Sequence, residues 1–267
     1  MLPREADNGC DDRRVRSARG VPGRRAVVVV AVVAVALVGA LPGLPAAADV
    51  VVHEETVVVG TSVEGREIVA VHRWVDGASR TTMVIGSMHG DERAGTRVVR
   101  SLRSAPLPDG TDLWLVPTMN PDGAVADRRT NANGVDLNRN FPRHWVAADA
   151  GTSKWSGPAP ASEPETQAVM ALLRQVQPRT VLVLHQPLFG VDSYHARSMT
   201  LVRRLARELG LPVKSFDCQG GCHGTLTDWQ NARLPGRAVT VELGRTASDW
   251  RVRHTARGIL RTAEPPS

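Results

Sequence analysis

The sequence has little charge and few aromatic residues for its length, and long polar tracts are missing. Only 22% of its 267 residues are charged, whereas 42% are hydrophobic. This balance excludes an intrinsically disordered chain, because such chains are poor in apolar residues. No internal repeat or low-complexity linker interrupts residues 49–267. We therefore expect one folded domain there.

Cysteine is scarce as well. The three cysteines are Cys10, near the N-terminus, and the pair Cys218 and Cys222, which flanks a short glycine-containing stretch. We predict a local disulfide between Cys218 and Cys222, which is typical of an exported protein. Two alternatives stay open at this point: two free thiols, or a metal site completed by His223.

The excess of positive charge is smaller than it first looks. The formal net charge is +6, but residues 1–48 carry seven Arg against four Asp or Glu. The remaining chain holds 26 basic and 23 acidic residues, a net charge of +3. This modest excess gives no case for a nucleic-acid partner.

The N-terminal segment has the pattern of an export signal. Several arginines precede an uninterrupted apolar run over residues 26–41, and the small residues before Asp49 fit the rule for signal-peptide cleavage. The alternative is an uncleaved membrane anchor, since the run is only a little short for a span. Either way, positive charge before the apolar run places the rest of the chain outside the cytoplasm. We thus divide the chain into residues 1–48, a signal peptide or anchor, and residues 49–267, the folded domain.

Strand-like and helix-like segments alternate in the folded domain, which predicts a three-layer α/β fold. Predicted strands are Glu55–Val59, Glu67–Val71, Thr82–Gly86, Leu113–Val116, Val181–Leu184 and Ala238–Val241, and predicted helices cover Thr96–Leu102, Ser162–Val176, Met199–Leu209 and Asp249–Thr262. Ser162 is the predicted N-cap of its helix, with Pro164 in the first turn. The stretch over residues 120–161 has no predicted regular structure, and such long segments are more often functional than idle.

Three polar side chains follow apolar strands and form a candidate metal site. His89 and Glu92 are three residues apart in the loop after one strand, and His185 ends another. Catalytic zinc takes three protein ligands of this mixed nitrogen and oxygen type. Ligands meet at the carboxyl ends of strands in open α/β sheets. Without further support, His185 could equally be a buried structural histidine.

An ordered set of motifs strengthens this interpretation. After His89-Gly90-Asp91-Glu92 come Asn120-Pro121-Asp122-Gly123 and Gly134-Val135-Asp136-Leu137-Asn138-Arg139-Asn140, then the strand-end His185, and finally Glu242 near the last strand. In this order the sequence resembles the zinc carboxypeptidase family. The resemblance implies a three-layer α/β/α fold with a mixed central sheet, and one zinc ion held by His89, Glu92 and His185.

The resemblance also implies roles for further residues. Glu242 would be the general base that activates water, and Arg129 would stabilise the oxyanion, with its neighbour Arg128 as the alternative. Asn138 and Arg139 would bind the terminal carboxylate of the substrate. Asp136 would orient the imidazole of His89.

Within that family the sequence most resembles the murein peptide amidases, through residues 129–142 and 156–166. This resemblance implies a peptide substrate, with the γ-D-glutamyl-meso-diaminopimelate bond of cell-wall peptides as the target. We expect the chain to act as a monomer. Two positions depart from the family pattern. Asp91 stands where digestive members have an arginine, and Tyr194 is too far upstream to be their mobile tyrosine.

Two other functions compete with this one. An N-acyl amino acid deacylase, of the aspartoacylase or succinylglutamate desuccinylase type, shares the zinc chemistry, but export and the motif at Asn120–Gly123 argue against it. A catalytically silent wall-binding module would keep the fold without turnover. Against it stands the complete set of expected catalytic residues.

Overall fold

A computed structural model describes residues 51–217 and 222–263 of the chain. The predicted signal segment, residues 1–48, and Cys218 lie outside the described residues. The described strands are β1 (Val52–Thr61), β2 (Glu67–Val75), β3 (Arg80–Ile85), β4 (Thr111–Val116), β5 (Thr180–His185), β6 (Leu188–Asp192), β7 (Val213–Lys214) and β8 (Arg237–Gly244). The described helices are α1 (Arg93–Arg103), α2 (Pro121–Ala126), α3 (Pro164–Val176), α4 (Met199–Leu209), α5 (Leu226–Arg233) and α6 (Asp249–Ala263).

All eight described strands form one mixed sheet in the order β1-β2-β4-β3-β5-β8-β6-β7. Strands β4, β3, β5 and β8 are mutually parallel and lie in the middle. The β1-β2 hairpin continues the sheet on one side through an antiparallel pairing with β4. On the other side β6 is antiparallel to β8 and carries the short β7. The parallel centre places the carboxyl ends of β3, β5 and β8 at one edge.

Alternating side chains of the central strands enter two hydrophobic cores, one on each face of the sheet. Val84 and Leu182 belong to the core covered by α1, α4 and α6. Met83 and Val181, their neighbours along the strands, belong to the core covered by α3 and α5. Strands that are buried on both faces need continuous apolar sequence, which explains the short apolar runs in the chain. The expected three-layer α/β/α fold with a mixed central sheet is confirmed.

The predicted elements are found, mostly with longer strands than the sequence indicated. The N-cap prediction was wrong, because Glu163 rather than Ser162 is the N-cap of α3 and makes no side-chain capping bond. The hydroxyl of Ser162 instead donates to Glu163 Oε1 at 2.7 Å and accepts from Asn140 at 3.0 Å. Helix α1 begins at Arg93, three residues before the predicted start at Thr96.

Five short elements were not predicted: α2, β6, β7, α5 and a 3-10 helix over Leu137–Arg139. Helix α2 lies in the stretch that was expected to be irregular, and the side chain of Asn120 caps it by accepting from Gly123 N–H at 2.9 Å. Within residues 51–217 and 222–263, no helix has both the length and the apolar character needed to cross a membrane.

Candidate metal centre and active site

The side chains of His89, Glu92 and His185 meet at the carboxyl edge of the parallel strands. His89 follows β3, Glu92 is the N-cap residue of α1, and His185 ends β5. Glu92 makes no side-chain capping bond to its helix. Its carboxylate lies between the histidines instead, with Oε1 2.8 Å from His89 Nδ1 and Oε2 3.0 Å from His185 Nδ1. The structure thus brings together the three side chains that the sequence singled out, although they are up to 96 positions apart.

This cluster fits a zinc ion. One candidate ligand atom from each of the three residues lies within 4.8 Å of the others, and all three residues are buried. Two imidazole nitrogens and a carboxylate are a known catalytic zinc set, which leaves one position for water or substrate. The Nε2 atom of His89 lies 2.9 Å from Asp136 Oδ1. A proton shared there leaves Nδ1 free to bind metal.

The electrostatics of the cluster favour a cation. Burial lowers the pKa of His89, but Asp136 and Glu92 outweigh burial and raise this pKa to about 9. Burial would raise the pKa of Glu92, yet the two histidines hold it far below its usual value. The pKa of Asp136 is likewise held low against burial, by His89, Arg129 and Arg139. Ionised carboxylates on both sides of His89 create a negative site that suits a divalent ion.

Arg129 connects the cluster to Asp136. Its guanidinium donates to Asp136 Oδ2 from Nη2 at 2.8 Å and from Nε at 3.1 Å, and Nη1 lies 3.3 Å from Glu92 Oε1. Burial lowers the pKa of Arg129, but Asp136 and Glu92 raise it above the usual value. Arg129 lines the cavity beside the cluster, whereas Nε of the alternative, Arg128, is buried without a hydrogen-bond partner in the described structure. Position favours Arg129 over Arg128.

Asn138 and Arg139 lie in a short 3-10 helix over Leu137–Arg139, which is capped by Asp136. Asp136 accepts from Asn138 N–H at 2.9 Å, and Asn138 Oδ1 accepts from Leu226 N–H at 3.1 Å. Burial lowers the pKa of Arg139, and Asp136 only partly offsets this effect. Both residues line the same cavity as the metal cluster, which brings the two sequence motifs together.

Glu242 lies next to His185 across the parallel pairing of β5 and β8, where the two residues are register partners. Its carboxylate is mostly buried and accepts from Leu188 N–H at 3.1 Å. Burial raises the pKa of Glu242, helped by the charge of Glu92 and opposed by the two histidines and Leu188 N–H. A buried carboxyl group with a raised pKa beside a metal site is suited to proton transfer.

Gln186 belongs to the site but was not singled out in the sequence. Its backbone N–H donates to Glu92 Oε2 at 3.0 Å, and its side-chain oxygen accepts from Ala94 N–H at 2.9 Å. Its amide nitrogen donates to the carbonyl oxygens of Gly244 and Arg245. It therefore connects the ends of β5, α1 and β8. Its position directly after His185 was the signal available in the sequence.

The cavity beside the cluster has a volume of about 540 Å³. Further side chains that line it were not predicted: Lys154, Asp192, His195, Phe216, Thr227 and Thr240. Cys222 also lines the cavity and is disulfide-bonded, while its predicted partner Cys218 lies outside the described residues. Asp91, at the position of the digestive arginine, is exposed. Tyr194 is not among the described residues that line the cavity.

Comparison with known proteins agrees with the geometry. The family model for zinc carboxypeptidase matches residues 52–198, which include all three residues of the cluster but not Glu242. Murein peptide amidase A of Escherichia coli K12 is 33% identical over 150 residues, which are 51% of this chain and 61% of that protein. Its counterpart in Vibrio campbellii is 31% identical over 204 residues, covering 71% of this chain and 79% of that protein.

A solved structure extends the likeness to the fold. The murein-tripeptide amidase of Escherichia coli O157 superposes with a TM-score of 0.65 at 27% identity, covering 79% of this chain and 93% of that one. The sequence match to the Escherichia coli K12 relative, in contrast, spans less than two thirds of that protein's length. Family model, sequence relatives and fold lead to the same conclusion: this chain belongs to the zinc carboxypeptidase family.

Proposed function

We propose that this chain is a zinc-dependent peptide hydrolase that cleaves the γ-D-glutamyl-meso-diaminopimelate bond of murein peptides, or an ordinary C-terminal peptide bond, as a monomer. The observation that carries the proposal is the position of Glu242. Its buried carboxylate lies beside the metal-fitting cluster and opens onto the cavity that Arg129 and Arg139 also line. A base, two cations and a metal site on one cavity are the groups that amide hydrolysis needs.

Zinc bound at His89, Glu92 and His185 would supply Lewis acidity and lower the pKa of a water molecule to about 7. Glu242 is proposed to take a proton from the attacking water and to deliver it to the leaving amine. Its raised pKa supports this role, because it makes the carboxylate a stronger base for the proton of the attacking water. Leu188 N–H holds the carboxylate in place.

Arg129 and Arg139 are proposed to stabilise the oxyanion and to bind the substrate carboxylate, respectively. Arg129 is fixed by its two bonds to Asp136, so its positive charge is in place before the oxyanion develops. Arg139 and Asn138 are proposed to bind the α-carboxylate of the leaving amino acid, for which a planar guanidinium is well suited. We therefore expect the enzyme to prefer substrates that have a free C-terminal carboxylate.

The cell-wall substrate is supported by the relatives. Both the Escherichia coli and the Vibrio campbellii proteins are murein peptide amidases, and a Lysinibacillus sphaericus relative, 31% identical over 186 residues, is a γ-D-glutamyl-L-diamino acid endopeptidase. The sequence of residues 1–48 supports a location of the folded domain outside the cytoplasm. The protein would be either secreted or tethered to the membrane through residues 26–41. An exported enzyme would meet peptidoglycan peptides directly.

The decisive experiment incubates the purified chain with L-alanyl-γ-D-glutamyl-meso-diaminopimelate and measures free diaminopimelate by mass spectrometry. We expect release that a zinc chelator abolishes and added zinc restores. An ordinary dipeptide, N-acetylaspartate and N-succinylglutamate serve as parallel substrates. Cleavage of the N-acyl amino acids alone would favour a deacylase, and binding to murein without cleavage of any substrate would favour a silent binding module.

Location is tested separately. Western blots of cytosol, membrane and medium fractions should find the protein in the membrane or the medium, and the apparent mass tells whether residues 1–48 have been removed. Protein confined to the cytosol would contradict the export proposal without affecting the proposed chemistry.

A further inference from the structure

Helices α1, α4 and α6 form a strongly basic face of the molecule. They bury their apolar sides in one core, and α6 contacts both of the others. There are four arginines in α1, three in α4 and four in α6, but the only acidic residues of these helices are Glu208 and Asp249. On the opposite face of the sheet, α3 and α5 each have one arginine and one acidic residue. The positive charge is therefore concentrated on one side of the sheet.

Ion pairs within the protein neutralise only part of this basic face. Five of its eleven arginines have an acidic partner. Within residues 51–217 and 222–263, four others have no ion pair, and all four are exposed: Arg100, Arg203, Arg253 and Arg257. Like charges that lack counter-charges repel one another, which costs free energy in the unbound protein. The basic face is therefore suited to a partner that supplies many negative charges.

His254 shows that the positive field is felt along α6. Burial lowers the pKa of its imidazole, and the charges of Arg251, Arg261 and Arg257 lower it further. The ring stacks on Trp250 with a distance of 4.9 Å between the two ring centroids. Cationic groups thus surround this part of the helix.

Trp250 adds an amphipathic side chain to the basic face. It lies in the first turn of α6, and 58% of its surface is exposed. Because Trp250, Arg253 and Arg257 follow at spacings of three and four residues, they project from the same side of the helix. Tryptophan is enriched where proteins meet the interface of a lipid bilayer, since its ring is apolar and its N–H is polar. An exposed indole beside these arginines favours a lipid surface over a soluble anionic polymer.

The start of the folded domain lies next to the basic face. Val52, the first residue of β1, packs against the core that α1, α4 and α6 cover. Glu54 accepts from Arg103 of α1 at 2.8 Å. Residues 42–51 separate β1 from the apolar run over residues 26–41, and a chain of this length can span at most about 35 Å. A tether through that run would hold the basic face close to the membrane.

We propose that the basic face docks on anionic phospholipid headgroups at the extracytoplasmic surface of the membrane. This inference rests on the proposed function, which includes a location outside the cytoplasm. A guanidinium group binds phosphate oxygens with two parallel hydrogen bonds, and each cation near an anionic membrane strengthens binding about fivefold. None of the described residues that line the cavity belongs to α1, α4 or α6. Substrate can therefore reach the active site while the basic face is docked.

The test measures how the full, zinc-loaded chain sediments with lipid vesicles. One set contains equal parts of phosphatidylglycerol and phosphatidylcholine, and the other contains phosphatidylcholine alone. The neutral vesicles measure any insertion of residues 26–41, because an apolar segment does not need anionic lipid to insert. At low salt we expect binding to the anionic vesicles to be at least about tenfold tighter. This preference should disappear in about 1 M salt, where the Debye length is only about 3 Å.

Two variants that lose the same net charge show whether the position of the charge matters. The basic-face variant combines Arg100→Gln, Arg203→Gln, Arg253→Gln and Arg257→Gln. The control variant changes four exposed arginines outside the basic face, which also have no ion pair within the described residues: Arg174→Gln, Arg179→Gln, Arg233→Gln and Arg237→Gln. We expect the preference for anionic vesicles to fall about tenfold or more in the basic-face variant and to persist in the control.

A wild type that binds both kinds of vesicle equally would overturn the inference, and so would a control variant that loses as much preference as the basic-face variant. Binding of inorganic polyphosphate without binding of anionic vesicles would also overturn it, because the partner would then be a soluble polymer. Neither variant changes a residue that lines the cavity, so both should cleave the murein tripeptide as the wild type does. Vesicle binding without cleavage would count against the proposed hydrolysis alone, and cleavage without vesicle binding against the docking alone.

Discussion

At the scale of single residues, a substitution at Glu242 can test catalysis separately from zinc binding. Its carboxylate lies beside His185 but is not a member of the three-residue metal cluster. We therefore predict that Glu242→Gln lowers kcat/KM on the preferred peptide by about 10²–10⁴-fold, the range for a lost general base. The amide side chain has nearly the same shape and can still accept from Leu188 N–H.

Zinc content, measured by mass spectrometry of the purified variant, is the control for this change. It should equal that of the wild type, because no zinc ligand is altered. A Glu242→Gln variant that holds zinc and keeps more than about a tenth of the wild-type rate would contradict the proposed role, since general base catalysis contributes more than that.

At the scale of elements, the loop that carries His89 and Glu92 packs on α2 without side chains between the two backbones. A Cβ built on Gly90 would collide with the backbone of Gly123, in the middle of α2. This contact connects the first two motifs of the sequence and explains why both contain glycine. We predict that Gly90→Ala moves the loop and weakens zinc binding by tenfold or more, measured by competition with a chelator.

Gly77→Ala is the matched control for this substitution. Gly77 has a φ of +75° in the turn after β2, and a Cβ there meets no atom within 4 Å. The change costs about 1 kcal/mol of conformational strain, without a collision. Zinc affinity should stay at the wild-type value in Gly77→Ala. An equal loss in both variants would mean that general destabilisation, rather than the Gly90 contact, controls the metal site.

Another element-scale connection joins α2 to the turn between β1 and β2. The side chain of Asp122 is 1% exposed and accepts from Ser62 Oγ at 2.7 Å, Glu64 N–H at 3.0 Å and Arg66 Nη1 at 2.7 Å. Burial alone would raise the pKa of Asp122, but these three donors lower it below its usual value. The ionised carboxylate therefore stabilises the fold above about pH 4. The contribution is lost as the pH falls through the folded-state pKa.

Asp122→Asn should consequently cost about 1–3 kcal/mol of unfolding free energy at pH 6, as expected when a buried hydrogen-bonded charge is removed. Urea unfolding of both proteins at pH 6 and pH 3 measures the effect. Because protonated aspartate also lacks the charge, the difference between wild type and variant should narrow at pH 3. If the difference in unfolding free energy between the two proteins were the same at both pH values, the shape of the Asp122 side chain, rather than its charge, would account for its contribution to stability.

The elements also show how far the sequence alone could lead. Apolar runs such as Val181–Leu184 predicted the central strands, because parallel strands buried on both faces require them. Strand β6 was not predicted, because its first residues, Leu188 and Phe189, are exposed and do not follow the pattern of a buried strand. Only its pairing with β8 defines it as a strand. Helix α5 has little amphipathic pattern, since polar residues such as Asp228 and Gln230 are buried on it. Asp192, on β6, was therefore not expected in the cavity.

At the scale of the whole molecule, the sheet order decides which motifs meet. Strands β3, β5 and β8 are neighbours in the sheet although nearly 100 residues separate β3 from β5 in sequence. The order of motifs along the chain could suggest the metal ligands through family resemblance. It could not give the register that sets His185 beside Glu242, because register is fixed by packing of the whole sheet.

The metal cluster joins distant parts of the fold, so zinc should stabilise the whole domain. Glu92 is the N-cap residue of α1, and His185 ends β5. His89 is hydrogen-bonded to Asp136, which lies between α2 and α3 in the sequence. A ligand that binds only the folded state adds about 2.7 kcal/mol when its free concentration is 100 times Kd. We therefore predict that a chelator lowers Tm by several degrees and that one equivalent of zinc restores it, as measured by calorimetry. In Glu92→Gln, which loses a charged ligand, the Tm should respond much less to zinc. A wild-type Tm that is the same with and without zinc would show that the ion does not link these elements.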